Sequence, residues 1–146
     1  MQELLFTHRI IDTVDGWETA LYETAHTAYK ERALGAIYLK DIVDQVAIEK
    51  TRTIINYDTV IWHAPPDEHV RRDTIAYLGV NQPFTYFNTP IRHAFVFAAQ
   101  TRSQYHALMR RVIRFTMEAS LNPRLYQKTN MKAWFQANHT PSDTTQ

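Results

Sequence analysis

The alternation of hydrophobic and polar positions divides the first third of the chain into a strand and two helices. Residues 4–11, LLFTHRII, are rich in β-branched and aromatic side chains and predict a strand. Apolar residues then recur at helical spacing over residues 17–32, which predicts a helix. Asp15 is a candidate N-cap and Gly35 a candidate C-terminal stop for this helix. A second helix is predicted over residues 39–49.

The pattern in the remainder of the chain predicts several strands followed by one long helix. The run TRTIINYDTVIW is mostly β-branched and predicts a strand interrupted near residues 56–58. DTIAYLGV (residues 73–80) and the short FTYF segment predict two further strands, with a turn at residues 88–90. IRHAFVFAA is apolar throughout, which predicts a central strand covered on both faces. A long amphipathic helix is predicted over residues 102–120, and a short helix over residues 131–137.

The order of these elements predicts a single layered α/β domain, with a mixed β-sheet of about five strands flanked by helices. The chain of 146 residues is long enough for one buried core. We expect the domain to occupy residues 1–138 and a polar C-terminal tail to occupy residues 139–146.

Composition excludes several classes of function. The net charge is only +1, which gives no electrostatic reason to expect a nucleic-acid partner. The absence of cysteine excludes disulfides, thiolate metal sites and cysteine nucleophiles. No apolar run approaches the roughly 20 residues that span a bilayer, and the N-terminus lacks a signal-peptide pattern. We therefore expect a cytoplasmic protein without direct membrane insertion, and a homodimer is one of the oligomeric states left open.

Histidines are the main candidates for chemistry. The seven are His8, His26, His63, His69, His93, His106 and His139. His63 ends a strand and precedes two prolines that cannot continue a ladder, which predicts a side chain at the rim of the sheet. His106 falls near the start of the long helix, where the macrodipole favours an anion. Because a neutral imidazole is a nucleophile, two such histidines close together could accept and hold a phosphoryl group.

Structural roles are the alternatives to these chemical ones. His63 could be a strand-end histidine satisfied by local hydrogen bonds, and His106 an exposed helix residue. His93 alternates with core positions, so we expect a satisfied histidine in the sheet. His69 with the neighbouring carboxylates does not match a known metal-ligand spacing. The arginines of MRRVIRF are expected on the solvated face of the long helix: Arg110, Arg111 and Arg114.

Several segments, taken in their order along the chain, resemble one protein family. HAPPDEHV, QPFTYF, TPIRHAFVFAA and YHALMRRVI are similar to enzyme IIA domains of the sugar phosphotransferase system, of the mannitol, fructose, galactitol and ascorbate kind. The earlier segment DGWETALYETAHTAYKERALGAIYLKDIVDQV resembles their tryptophan-containing first helix, connecting loop and second helix. The resemblance covers roughly residues 15–123. It implies that His63 accepts the phosphoryl group and that His106 is the second histidine that helps to hold it.

The resemblance also implies partners and a mode of action. It implies a cytoplasmic phosphoryl carrier that receives the group from the histidine-containing phosphocarrier protein and passes it to a cognate enzyme IIB. It implies no metal or organic cofactor. Catalysis would then consist mainly of positioning and charge stabilisation.

Three features depart from the family pattern. Trp62 stands where the relatives carry proline, and Ala47 stands where they often carry an arginine, which leaves Arg52 and Lys50 as phosphate-stabilising candidates. The interval from the Ala-Ala pair to His106 is about one residue longer than in the relatives. These departures keep two alternatives open: a regulatory or interaction module with weak or no phosphotransfer, and a small-molecule-binding domain without phosphoryl chemistry.

Overall fold

A mixed five-stranded sheet forms the centre of the computed structural model, which describes residues 3–137. The strands are β1 (Leu5–Ile11), β2 (Ile54–Ile55), β3 (Thr59–Trp62), β4 (Thr74–Tyr86) and β5 (Thr89–Ala98). Their order is β1-β4-β5-β3-β2; the pairs β1–β4 and β3–β5 are parallel, and β4–β5 and β2–β3 are antiparallel. The predicted α/β class, the mixed sheet and the central position of β5 are confirmed. The predicted tail, residues 139–146 with His139, lies outside the described residues.

Helices cover both faces of the sheet. They are α1 (Trp17–Lys30), α2 (Ala36–Glu49), α3 (Arg102–Leu121) and α4 (Lys128–Ala137), with 3-10 turns at Lys50–Thr53 and Pro123–Tyr126. The apolar sides of α1 and α2 pack on one face, and those of α3 and α4 pack on the other. The four helices are confirmed close to their predicted bounds. Within residues 3–137, no helix combines the length and the apolar character of a membrane-spanning segment.

The ends of α1 differ from the prediction. Asp15 does not cap the helix: the N-cap residue is Gly16, and the start of α1 has no side-chain cap bond. The helix ends before Gly35, and Arg32 takes the left-handed conformation there, with φ 63°. Gly35 instead precedes α2, and its N–H donates to the carbonyl of His69 at 2.9 Å. Capping depends on local backbone geometry, which residue preference alone did not determine.

The two strands predicted over residues 73–80 and the FTYF segment are one continuous strand, β4. Its pairing with β5 changes register between Gly79 and Phe84, and the exposed Pro83 lies within that irregular stretch. A proline at such a point removes no regular ladder bond. The hairpin turn that follows is formed by Phe87 and Asn88, with φ of 47° and 67°.

Two of the three arginines predicted on a solvated helix face are covered by α4. Arg111 is buried, and its guanidinium donates to the carbonyl of Phe135. The guanidinium of Arg114 lies 5.4 Å from the centre of the Trp134 ring. Only Arg110 of the three is exposed. The prediction was wrong because a charge pattern on α3 alone does not reveal that another helix packs there.

Candidate functional site

His63 lies at the rim of the sheet, directly after the last residue of β3. β3 and β5 are parallel, with Trp62 opposite Val96, so the C-terminal ends of both strands meet at this edge. The ring of Phe97 from β5 stacks on the His63 imidazole, with centroids 5.0 Å apart. The His63 side chain keeps 16% of its surface exposed. The strand-end position expected from the sequence is confirmed.

The backbone that follows His63 is held by a buried tyrosine of α2. The hydroxyl of Tyr38 donates to the carbonyl of Ala64 at 2.8 Å and accepts from the N–H of the same residue at 3.2 Å. Burial raises the pKa of Tyr38 well above its ordinary value, so the hydroxyl keeps its proton. The two prolines that follow Ala64 have fixed φ angles and restrict the turn further. The loop therefore holds His63 in place.

Trp62 faces away from His63. Adjacent residues of an extended chain point to opposite faces of a sheet, and Trp62 is fully buried in the α1–α2 layer. Its ring packs near Trp17, Phe84 and Tyr86, with centroids 5.9–6.4 Å away. The tryptophan that stands in place of proline is thus part of the core on the far side of the sheet from the His63 ring.

Two side chains contact the His63 imidazole from opposite edges. The hydroxyl of Tyr105, in the first turn of α3, lies 2.5 Å from Nδ1. Oε2 of Glu49, the last residue of α2, lies 3.8 Å from Nε2. Burial lowers the pKa of His63, and the Glu49 carboxylate partly opposes this effect. Burial, assisted by the charge of Glu49, raises the pKa of Tyr105 to about 12.

His63 opens onto a cavity of about 330 Å³ between α3 and the end of α2. The cavity is lined by His63, Glu49, Arg52, Thr53, Ile48, Ile55, Ile61, Met109 and Ile113. Its walls are mostly apolar, and its one cationic side chain among the described residues is Arg52. The cavity therefore combines an imidazole ring, a carboxylate, a guanidinium and a threonine side chain with apolar side chains.

The two cations proposed from sequence have different positions. Arg52 lines the cavity together with His63, and its guanidinium donates to the carbonyl of Ile48 at 3.2 Å. Lys50 has an exposed side chain and is not among the described residues that line the cavity. Its carbonyl instead accepts from the hydroxyl of Tyr86 at 3.0 Å. The structure brings Arg52, rather than Lys50, together with His63.

His106 is exposed on α3, and its ring packs edge-on against Tyr105 with centroids 5.6 Å apart. Tyr105 makes the hydrogen bond to His63. The sequence contained a signal for Tyr105, because the interval to His106 is about one residue too long for the family pattern. Nothing in the sequence singled out Glu49, whose contact depends on where α2 ends relative to β3.

A second histidine has a similar pair of contacts on the same face of the sheet. Nδ1 of His93 in β5 lies 2.7 Å from the hydroxyl of Tyr77 in β4, and Nε2 lies 3.9 Å from Oδ2 of Asp58. The ring of Tyr126 stacks on His93 almost in parallel, with centroids 3.7 Å apart. Burial lowers the pKa of His93 to about 4, partly opposed by Asp58. The satisfied histidine expected at this position is confirmed.

Metal-binding side chains are not grouped in the part of the chain that the structure describes. Within residues 3–137, no group of three or more histidine, aspartate or glutamate side chains could hold a metal ion. Asp67 instead accepts the backbone N–H of His69 at 2.7 Å, an ordinary turn contact.

Comparison with known proteins identifies the fold. No family model and no curated protein matches the sequence. A chain assigned as a phosphotransferase-system IIA domain from Streptococcus pyogenes matches with a TM-score of 0.75 at 16% identity, over 92% of each chain. Mannitol enzyme IIA of Escherichia coli, solved with phosphorylated enzyme IIB, matches with a TM-score of 0.67 at 12% identity, over 86% of this chain and 92% of that one. The fold is that of the phosphotransferase-system IIA domains.

The IIA fold also occurs in a protein named for regulation. Nitrogen regulatory protein IIA-Ntr of Neisseria meningitidis matches with a TM-score of 0.62 at 15% identity, over 90% of this chain and 86% of that one. The resemblance inferred from the ordered sequence segments is confirmed at the level of the fold. Identities this low concern the fold alone, so chemistry has to be argued from the residues of this chain.

Proposed function

We propose that the chain is a phosphoryl carrier of the enzyme IIA type. His63 accepts a phosphoryl group from the histidine-containing phosphocarrier protein and passes it to a cognate enzyme IIB. The observation that carries the proposal is the position of His63, at a strand end of a IIA fold and in one cavity with Arg52. Such a role would place the protein in the cytoplasm.

The local geometry supports a histidine nucleophile. Because burial lowers the pKa of His63, the ring is neutral at neutral pH and keeps a lone pair on one nitrogen. Tyr105 occupies Nδ1, which leaves Nε2 as the nitrogen that an incoming phosphorus atom can reach. The Arg52 guanidinium supplies positive charge for the phosphoryl oxygens. His106 is the second histidine that the resemblance implies; it is exposed beside Tyr105 and is not among the described residues that line the cavity, so Arg52 is the better-placed group to hold the phosphoryl oxygens.

A protein partner is consistent with the surface beside the cavity. Ile48 lines the cavity and keeps 66% of its surface exposed, so the mouth of the cavity is open to a partner. The mannitol enzyme IIA with this fold was solved together with phosphorylated enzyme IIB. The second observation supports an enzyme IIB partner for this chain.

Reconstituted transfer tests the proposal. Incubation with phosphoenolpyruvate, enzyme I and the phosphocarrier protein should add the mass of one phosphoryl group to the wild type and none to His63→Ala. A His26→Ala variant, altered at an exposed histidine of α1, should behave as the wild type. Subsequent addition of the cognate enzyme IIB should remove the group. A wild type without mass gain, or a His63→Ala variant that still gains it, would contradict the proposal.

A regulatory module is the second candidate. It is favoured by the IIA-Ntr neighbour and by the carboxylate of Glu49 beside Nε2, where a doubly charged phosphoryl group would be repelled. The same assay separates the two functions. A regulatory module would gain the phosphoryl group slowly or not at all, and would not release it to enzyme IIB.

A further inference from the structure

The hydrogen bond between Tyr105 and His63 is compatible with a ring proton on the far nitrogen of His63, Nε2. A neutral imidazole has one N–H and one lone pair. Within the described residues, the Tyr105 hydroxyl makes one hydrogen bond, to Nδ1 at 2.5 Å. The raised pKa of Tyr105 keeps its proton in place at neutral pH, so the hydroxyl can donate to Nδ1. In that arrangement Nδ1 holds the lone pair and Nε2 holds the proton.

The contact at the other edge of the ring favours the same tautomer. Oε2 of Glu49 lies 3.8 Å from Nε2, and a carboxylate attracts an N–H and repels a nitrogen lone pair. The same combination recurs at His93, where Tyr77 meets Nδ1 and Asp58 lies 3.9 Å from Nε2. The Glu49 contact therefore favours the proton of His63 on Nε2, the atom proposed to attack phosphorus, and the Tyr105 hydroxyl can donate to the lone pair that this leaves on Nδ1.

A protonated Nε2 cannot form a bond to phosphorus until it loses its proton. We propose that Glu49 is the proton acceptor in the phosphorylation of His63, which rests on the function proposed above. The bond between Nε2 and phosphorus forms as the phosphorus–nitrogen bond of the donor phosphohistidine breaks, and the donor nitrogen keeps that electron pair. The Nε2 proton moves to the Glu49 carboxylate. Tyr105 continues to donate to Nδ1 throughout.

This assignment accounts for an acidic side chain in a site for an anion. Proton uptake converts the Glu49 carboxylate to a neutral acid as the phosphoryl group arrives, which removes the repulsion between the two. The neutral acid can then donate a hydrogen bond to a phosphoryl oxygen, beside the positive charge of Arg52. In the reverse transfer, Glu49 returns the proton to Nε2.

Rates of phosphorylation test the assignment. Glu49→Gln keeps the size of the side chain and removes its basicity. Asp58→Asn makes the same change beside His93 and is the matched control. With either the phosphocarrier protein or the small donor phosphoramidate, we expect Glu49→Gln to be slower than the wild type by about 10²-fold, the usual scale for one positioned base. Asp58→Asn should match the wild type. A Glu49→Gln variant as fast as the wild type, or faster, would overturn the assignment.

Nuclear magnetic resonance of ¹⁵N-labelled histidine tests the tautomer without any transfer. At about pH 8, where an ordinary imidazole is neutral, the His63 signals should show a protonated Nε2 and an unprotonated Nδ1. Tyr105→Phe should move the proton toward Nδ1. A wild type with its proton on Nδ1 would overturn the assignment of Glu49 and leave the carrier function standing. A wild type that neither donor phosphorylates would overturn the carrier function, and the assignment with it.

Discussion

The two tyrosine–histidine pairs on the α3 face of the sheet, Tyr105–His63 and Tyr77–His93, share their contacts and differ in what lies beside the histidine ring. In both, a tyrosine hydroxyl meets Nδ1 and a carboxylate oxygen lies 3.8 or 3.9 Å from Nε2. The Tyr126 ring stacks on His93, whereas a cavity of about 330 Å³ opens beside His63. The two histidine side chains keep similar exposed fractions, 16% for His63 and 19% for His93, so overall exposure does not distinguish them. We propose that the adjoining cavity, with Arg52 in its wall, makes His63 the site of phosphoryl chemistry.

The largest effect that we expect is a loss of stability at acidic pH that comes from His93. The pKa of His93 is lowered to about 4 by burial, with Arg92 adding to and Asp58 opposing the effect, and Tyr77 and Tyr126 pack against the ring. The unfolded chain then binds a proton near pH 6.5 that the folded chain does not bind until about pH 4. The stabilising effect of a neutral His93 is thus complete above pH 6.5 and is lost as the pH falls to about 4.

The size of this loss follows from the shift, and it is about 3 kcal/mol of unfolding free energy. Denaturant unfolding at a series of pH values measures it. His93→Gln should show a shallower decline between pH 6.5 and 4 than the wild type. His8 and His63, whose pKa values burial also lowers, contribute to the decline that remains. Parallel curves of unfolding free energy against pH for the wild type and His93→Gln would contradict this account of His93.

A smaller effect is expected when a methyl group added at Gly79 displaces Tyr77, the partner of His93. A Cβ added at Gly79 would lie 2.7 Å from the Tyr77 hydroxyl and 3.3 Å from its ring. Gly79→Ala should therefore displace Tyr77 from His93, at a cost of about 1–3 kcal/mol of unfolding free energy, as for other overpacked cores. His63 phosphorylation should be unchanged, because Gly79 belongs to the other pair. Gly16→Ala, where a Cβ meets no atom within 4 Å, is the control. Equal stability of the two variants would show that Tyr77 is not held in place.

The smallest expected effect is the loss of stability in Tyr105→Phe, which is best judged against the loss in Tyr77→Phe. Tyr77 is buried, so Tyr77→Phe leaves Nδ1 of His93 without a partner. This should cost about 1–3 kcal/mol of unfolding free energy. Tyr105→Phe should cost about 1 kcal/mol or less, because Tyr105 is only half-buried, whereas Tyr77 is buried, so solvent can replace the lost hydroxyl at His63. Thermal unfolding of both variants measures the difference. A larger loss in Tyr105→Phe than in Tyr77→Phe would reverse the comparison.

Much of the fold could be predicted because it depends on short-range periodicity. The helical spacing that begins at Trp17 and the apolar run of β5 identified their elements, and the prolines after His63 identified a strand end. The ends of α1 and the continuity of β4 could not be predicted. They depend on backbone conformation at Arg32 and on a register shift after Gly79, and neither leaves a pattern in the residue order.

The candidate site was predictable only in its centre. His63 follows from its position after a strand, but its partners come from the end of α2 and the start of α3. Whether Tyr105 or His106 meets His63 depends on a difference of one residue in the rotation of α3, which sequence spacing does not resolve. Glu49 contacts His63 because Lys50 takes a positive φ of 51° and ends the helix there. Contacts of this kind depend on how elements pack.

Mapping of the phosphoryl group in the wild-type protein tests the central claim most directly. The protein would be treated with phosphoramidate, which needs no partner, and digested at alkaline pH for fragment mass spectrometry. The account predicts that the phosphoryl group is found on His63 and not on His93. A group on His93 as often as on His63, or on neither, would contradict the claim that His63 is the site of phosphoryl chemistry.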